Sequence, residues 1–593
     1  ALVQPDGSVV FRLWAPSCES VGLELDGAAP LAMSAHGGGW FELASATAGA
    51  GTRYRFVLSD DLRVADPASR FQPEDIAGPS EVIDPQAYRW QDTAWRGRPW
   101  HEAVLYELHV GSFTPAGTFR AAIERLDHLV SLGVTAIELM PIADFPGTRN
   151  WGYDGVLLYA PDSSYGRPED LKALVDAAHA RGIMVLLDVV YNHFGPEGNY
   201  LPTIAEVFFT DRHQTPWGAA VNYDGKHSRP VRDFVIQNAI YWIEAFHLDG
   251  LRLDAVHAIL DESDQHLLQE LAETIRDRVR DRPVHLILEN EENDADLLTR
   301  LEPGRPRWFT AQWNDDVHHV LHVAASGEGS GYYGDYLGDT QKLGRALAEG
   351  FAFQGETMEY RGEPRGTPSR HLPPTAFVAF IQNHDQIGNR ALGDRIASIA
   401  PPQAVRAVAS VYLLLPQVPM LFMGEEWGTT RPFPFFCDFH GELAEAVRKG
   451  RRAEFSRFPE FQSTEKQAAI PDPQAPETFL SAKLDWDELA LAHHAAWLDW
   501  YRRILTVRRQ SIVPLLRDGI VEAATYRALG DQAVELRWTA GAAILVLQAN
   551  LADRVCELQS TLSGPVLWQE GECSPGQLGP WAVRWTIEPD RAA

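Results

Sequence analysis

Four segments of this chain end apolar runs with acids, an arginine and histidines. They read DVVYNH over 188–193, GLRLDAVH over 250–257, LEN over 288–290 and QNHDQ over 382–386. In a strand, residues two apart share a face, so Arg252 and Asp254 point the same way while Leu251 and Leu253 point the other. A guanidinium beside Asp254 favours the ionised carboxylate. An ionised, fixed carboxylate is what a covalent glycosidic nucleophile requires. Glu289 closes the next acid-bearing run. A carboxyl near an ionised one and partly shielded from water keeps its proton and can act as the acid. Asp385, with His384 beside it, is a third carboxylate. Glu291 shares strand parity with Glu289 and is an alternative acid, but Glu289 is favoured because it ends the apolar run. A lone acid at a strand end is ordinarily a solvated rim residue. Three acids, Arg252 and the histidines His193, His257 and His384 at neighbouring strand ends point to a site.

Such a site needs elements that bring distant segments together. Eight short, nearly all-apolar runs stand at Val104–Val110, Ala136–Ile142, Met184–Val190, Gly250–Val256, Val284–Asn290, Phe309–Asp315, Phe377–Asp385 and Val418–Glu425. Continuous apolar runs are the pattern of parallel strands buried on both faces. Helical patterns at 119–132, 169–180, 231–246, 263–280, 402–415 and 485–509 alternate with them. The fold class expected is α/β, a (β/α)8 TIM barrel, whose chemistry lies at strand C-terminal ends. One helix is expected in the weakly patterned stretch 321–375. Residues 1–92 alternate as short strands between Gly, Pro and Asp clusters, predicting an N-terminal, carbohydrate-binding-like β-sandwich. Residues 515–593 predict a C-terminal β-sandwich. The catalytic barrel spans 93–514, with long loops at 191–230 and 427–483 as candidate lids and subsite walls.

The 593 residues carry 52 Lys and Arg against 81 Asp and Glu, a net charge of −29. That balance argues against nucleic acid or an anionic membrane as partner and fits a neutral substrate. The four cysteines form no CxxC pair, so neither a zinc ribbon nor a disulfide framework is expected. No basic-then-apolar leader is visible at the first residues, and a cytoplasmic location is expected. The apolar stretch 407–424 is interrupted by Ser410, Pro416, Gln417 and Pro419, which predicts a buried helix running into a buried strand.

In order and spacing, the four segments resemble the catalytic motifs of the α-amylase superfamily of retaining α-glucosidases and transglucosidases. The resemblance implies that Asp254 is the nucleophile, Glu289 the general acid/base and Asp385 the stabiliser of the distorted sugar. It also implies that Arg252 orients Asp254. His193, His257 and His384 are then substrate-binding, and Tyr153, in NWGYD over 150–154, stacks on the sugar at the cleaved position. Within the superfamily, the segments 138–154, 191–200 and 312–319 resemble the trehalohydrolase branch. That implies hydrolysis of the α-1,4 bond next to the terminal trehalose unit of malto-oligosyltrehalose. It further implies a pathway partner, a malto-oligosyltrehalose synthase, that makes this substrate. A glucan branching enzyme and a catalytically inactive glucan-binding protein are the alternatives. No cofactor and no metal are expected: Asn192 matches a calcium-ligand position of many α-amylases, but the accompanying insertion is short. His318 and His322, four apart, predict a surface or rim helix and not a zinc site. Trp217 is either a sugar platform or a loop anchor.

Overall fold

The computed structural model describes residues 1–302, 304–456, 461, 463–518, 522–559 and 564–590. Eight parallel strands close into a barrel: β1 (Leu105–Leu108), β2 (Ala136–Leu139), β3 (Met184–Val189), β4 (Gly250–Leu253), β5 (His285–Leu288), β6 (Ala311–Trp313), β7 (Phe377–Ala379) and β8 (Val418–Phe422). Each lies inside one of the eight apolar runs. β8 pairs with β1, with Met420 beside Leu105, which closes the ring.

The two faces of each strand do different work. Outward side chains such as Ile137, Leu187 and Leu251 are fully buried against the helices. Inward, Leu105, Ala136, Met184, Ile287, Ala311, Val418 and Met420 fill the lower barrel. Towards the C-terminal ends the inward positions turn charged: Glu107, Glu138, Asp188 and Arg252, each no more than 3% exposed. Register sets their neighbours. Glu107 lies beside Glu138, and Asp188 beside Arg252.

Helices α1 (Pro168–His179), α2 (Ser228–Ala245) and α3 (Leu267–Arg278) return the chain to β3, β4 and β5. Among the described residues the connection from β5 to β6 holds no α-helix, only a 3-10 turn (Ala295–Leu298) and a small hairpin. After β6, α4 (Asp315–Ser326) starts ahead of the stretch 321–375 and ends just inside it, and α5 (Thr340–Glu349) is the one α-helix lying wholly within that stretch. α6 (Pro402–Tyr412) runs directly into β8, as the interrupted apolar stretch requires. The loop 191–230 carries a hairpin, Phe209–Thr215 with Gly218–Val221, and 427–483 carries the helix Gly441–Phe455.

Before the barrel, two antiparallel sheets pack around Val9, Phe11, Leu13, Tyr54 and Phe56. After it, a five-stranded sheet runs from Thr525–Gly530 to Ala582–Pro589, beside a three-stranded one. Trp585 docks this sheet on the barrel by donating its indole N–H to the Ser410 carbonyl on α6 at 2.8 Å. Among the described residues no helix is long and apolar enough to cross a membrane.

Candidate active site

The rim is assembled from the end of β4. Arg252 is fully buried, its guanidinium 4.1 Å over the Trp313 ring. Its Nη1 donates to Asp188 Oδ2 at 2.6 Å and to Asp254 Oδ1 at 2.8 Å, while Nη2 lies 3.7 Å from Glu289 Oε2. One cation thus faces three carboxyl groups. The Asn192 amide donates to the second oxygen of Asp254 at 2.9 Å, so both oxygens of that side chain are held. Just past Asp254 the backbone turns left-handed at Ala255, φ 39 and ψ 51. That turn aims the Ala255 N–H at Glu289 Oε2, 2.5 Å away. Burial raises the Glu289 pKa well above the usual carboxylate range; Arg252 opposes this, and Asp254, Asp315 and Asp385 add to it. Burial thus favours the protonated form of Glu289.

A second layer lies beneath. The ring Nδ1 and backbone N–H of His384 both donate to the Glu107 carboxylate, and His384 Nε2 stands 3.5 Å from Asp385 Oδ1. Burial alone would lower the His384 pKa, but Asp385 and Glu107 outweigh it and raise it to about 9. The imidazole is a buried cation between two acids. Glu138 has the opposite fate. Burial, Glu107 and Asp188 push its carboxyl well up, and among the described residues neither oxygen has a hydrogen-bond partner. Tyr153 donates its hydroxyl to Asp188 at 2.6 Å and lays its ring on His384, centroids 5.0 Å apart. Gly152 places it: with φ 104, a Cβ there would meet the Pro141 carbonyl at 2.0 Å.

Beyond Glu289 and Asp385 a cleft opens, lined by Trp313, Asp315, Tyr332, Tyr360 and Arg361. Its far wall comes from the chain after β6, not from the long loops after β3 and β8. Burial, with Asp385, raises the Asp315 pKa to about 7 against the pull of Arg365.

The structure thus brings together Asp254, Glu289, Asp385, Arg252, Tyr153 and His384. His257 sits at the rim, its Nδ1 accepting from the Glu291 N–H at 3.3 Å. Glu291 is 60% exposed and faces Arg361 and His257 at 4.0 Å, so solvent, not the acid position, surrounds it. Both ring nitrogens of His193 face protein oxygens, Asn192 Oδ1 and the Tyr153 carbonyl. A sugar contact from His193 requires one of these to be released. Trp217, half exposed, stacks on His193 with centroids 4.4 Å apart.

The surface or rim placement of His318 and His322 is corrected. They are 1% and 3% exposed on α4. His318 contacts the Ile381 carbonyl and the Tyr333 hydroxyl, and His322 contacts Glu328. Helical spacing alone does not tell which face meets the core. Sequence reasoning also missed Glu107, Glu138 and Asp315. The first two were visible as single acids inside otherwise apolar runs.

A closed parallel barrel with an arginine-bridged pair of carboxylates at its strand ends defines an α-amylase-type catalytic domain. A family model described as the alpha amylase catalytic domain matches residues 87–217, and a domain of unknown function matches 522–585. The malto-oligosyltrehalose trehalohydrolase of Deinococcus radiodurans is 43% identical, covering 91% of this chain and 87% of that protein. The one from Saccharolobus solfataricus is 39% identical, covering 88% and 89%. The chain belongs to the malto-oligosyltrehalose trehalohydrolase family. A solved structure from Salmonella typhimurium, assigned provisionally as an alpha amylase, superposes with a TM-score of 0.95 at 46% identity, covering 99% and 98% of the two chains. A glucan branching enzyme of Corynebacterium jeikeium is more distant, at 29% identity over 72% of this chain and 62% of that protein.

Proposed function

We propose that this chain hydrolyses the α-1,4 bond next to the terminal trehalose unit of malto-oligosyltrehalose, releasing trehalose with retention at the cleaved carbon. The observation that carries the reading is the pairing of Asp254, held on both oxygens, with a buried Glu289, its pKa raised by that burial, on the same guanidinium. Glu289 gives its proton to the glycosidic oxygen as an Asp254 oxygen attacks the anomeric carbon. The C–O bond to the leaving sugar breaks and a glycosyl ester forms on Asp254. Glu289, now a carboxylate, takes a proton from water, whose oxygen displaces Asp254. This requires a carboxyl separation of ~5–5.5 Å. Asp385 and the cationic His384 bind hydroxyls of the distorted sugar, and Tyr153 forms the floor beneath it. Arg252 orients the two acting carboxyls.

The cleft opens on the side of Glu289, the proton donor, so it is assigned to the leaving trehalose. Asp315 and Arg361 there supply donors and acceptors for the second ring's hydroxyls. A site built from such groups rejects an analogue that leaves them unpaired. In this reading a malto-oligosyltrehalose synthase supplies the capped substrate, and this chain acts in the cytoplasm.

Product NMR after incubation with maltotriosyl-trehalose and, separately, maltopentaose tests the reading, beside an Asp254→Asn control. Free trehalose from the capped chain only, absent in the control, is expected. Preferential attack on maltopentaose, or new α-1,6 signals from longer glucans, overturns the assignment.

A further inference from the structure

The chain after α4 is rich in glycine. Residues 327–334 read GEGSGYYG, with Glu328 the one charged side chain among them. Gly327 and Gly331 take left-handed φ values of 72 and 62. Glycine loses the most conformational freedom on ordering, so such a segment keeps one position only where something pins it. It has reason to be pinned, because it carries Tyr332 into the wall of the cleft.

The pin is Glu328. Its two oxygens accept from the fork of Arg390, Nη1 at 2.8 Å and Nη2 at 2.7 Å, and Oε2 also accepts from His322 Nε2 at 2.8 Å. The His322 ring lies flat on Tyr333, centroids 4.4 Å apart, and Tyr333 packs on Tyr332, centroids 4.6 Å apart. The Tyr333 hydroxyl is itself held, donating to His318 Nε2 at 3.1 Å. The far end of the pair is anchored beside a catalytic acid. Arg390 stands five residues after Asp385, just past the short helix His384–Gly388. Asn389, next to it, donates to Asp385 Oδ1 at 3.3 Å. Arg451, from the helix Gly441–Phe455, donates to the Gly388 and Arg390 carbonyls at 2.6 and 3.1 Å. One ion pair therefore joins two segments of the cleft wall, one presenting Tyr332 and the other Asp385 and Asn389.

Exposure separates positioning from stability. The Glu328 side chain is 34% exposed and that of Arg390 22%. A pair so open to water adds little to folding. A guanidinium fork on a carboxylate does, however, fix both distance and angle. Burial would raise the Glu328 pKa, but Arg390 and His322 outweigh it and hold it far below the usual range, so the pair stays charged.

We propose that Glu328 and Arg390 are positioning residues for the leaving sugar: their ion pair fixes Tyr332 against the Asp385 side of the cleft and sets how tightly the leaving disaccharide is held, with no part in bond cleavage. This rests on the assignment of the cleft to the leaving trehalose.

Glu328→Gln, Arg390→Gln and the double variant are compared with the parent in kcat and KM for maltotriosyl-trehalose, in inhibition by free trehalose, and in melting temperature. Each single variant is expected to raise KM and the trehalose inhibition constant about tenfold. kcat and the melting temperature stay close to the parent, the signature of lost binding that ground and transition states share. The double variant is no worse than either single one, because the same tie is already gone. Arg390→Lys keeps the charge but not the fork, and recovers only part of the loss. A parent-like KM in both single variants overturns the proposal. So does a fall in kcat at constant KM, additive losses in the double variant, or a KM rise that tracks a lower melting temperature. If Glu328→Gln fails to fold, Arg390→Gln and Arg390→Lys decide by the same split. If the parent prefers maltopentaose, the trehalose assignment falls by itself, and the ion pair is judged by the same split on that substrate with maltose as inhibitor.

Discussion

Replacing Glu107 with Gln keeps the shape of the buried pair with His384 and removes one negative charge. The rise of the His384 pKa from 6.5 to about 9 corresponds to about 3 kcal/mol of preference for the imidazolium. Asp385 and Glu107 supply it together against burial. With Glu107 neutral, Asp385 alone opposes desolvation, and the pKa falls to about 6.5 or below. Near pH 8 about nine-tenths of the parent is then imidazolium, against about 3% of the variant. Near pH 6 the two differ by less than about twofold. The parent-to-variant ratio of kcat/KM for maltotriosyl-trehalose should therefore widen about twentyfold between those two pH values. Stability moves with the same sign. A raised histidine pKa contributes fully below 6.5, and the contribution is lost as pH rises through about 9. Parallel pH–rate profiles for parent and Glu107→Gln would refute the claim that a cationic His384 matters to turnover.

Further outcomes follow from the same geometry. Glu289→Gln should lower kcat by about 10²–10⁴-fold, the span of general acid catalysis. In the parent, the alkaline fall of kcat should set in well above the ordinary carboxylate range, because burial keeps the Glu289 proton on. Asp188→Asn breaks contacts to Arg252 and Tyr153 and should cost about 3 kcal/mol in denaturant unfolding. Glu138→Gln, removing a carboxyl with no hydrogen-bond partner among the described residues, should stay within about 1 kcal/mol; equal losses in the two variants would contradict the placement of Glu138. Trp217→Ala should raise KM several-fold with an unchanged melting temperature if its exposed ring carries sugar. An unchanged KM would leave it as a loop anchor.

The barrel was legible because parallel strands covered on both faces must be apolar along their whole length. Each of the eight runs therefore announced itself without its neighbours. The acids at 254, 289 and 385 were legible for a related reason: each interrupts a run where the strand ends. Glu107 and Glu138 were harder. Their significance lies in a cross-strand register and in His384, 277 residues further on, which no local pattern encodes. The stretch after β6 was weakly patterned because its order comes from long-range polar contacts. Arg365, for example, reaches back to Asp316 at 2.7 Å. Periodicity is silent about such ties. The burial of His318 and His322 was missed on the same ground: a helix packed on nearly all sides has no polar face to read.

The left-handed turn at Ala255 has a wider meaning. An alanine held there pays about 1 kcal/mol or more of strain, and in return a single peptide unit joins the attacking residue to the hydrogen bond that fixes the donor. The gap between the two reacting groups is thereby gauged by covalent backbone and not by the surrounding loops. A lineage can rebuild the walls after β3, β6 or β8, lengthening, shortening or recharging them, without resetting that gauge. Bond cleavage and choice of sugar are separable traits in such a molecule. New specificities are reached by editing loops while the chemical step stays as it was.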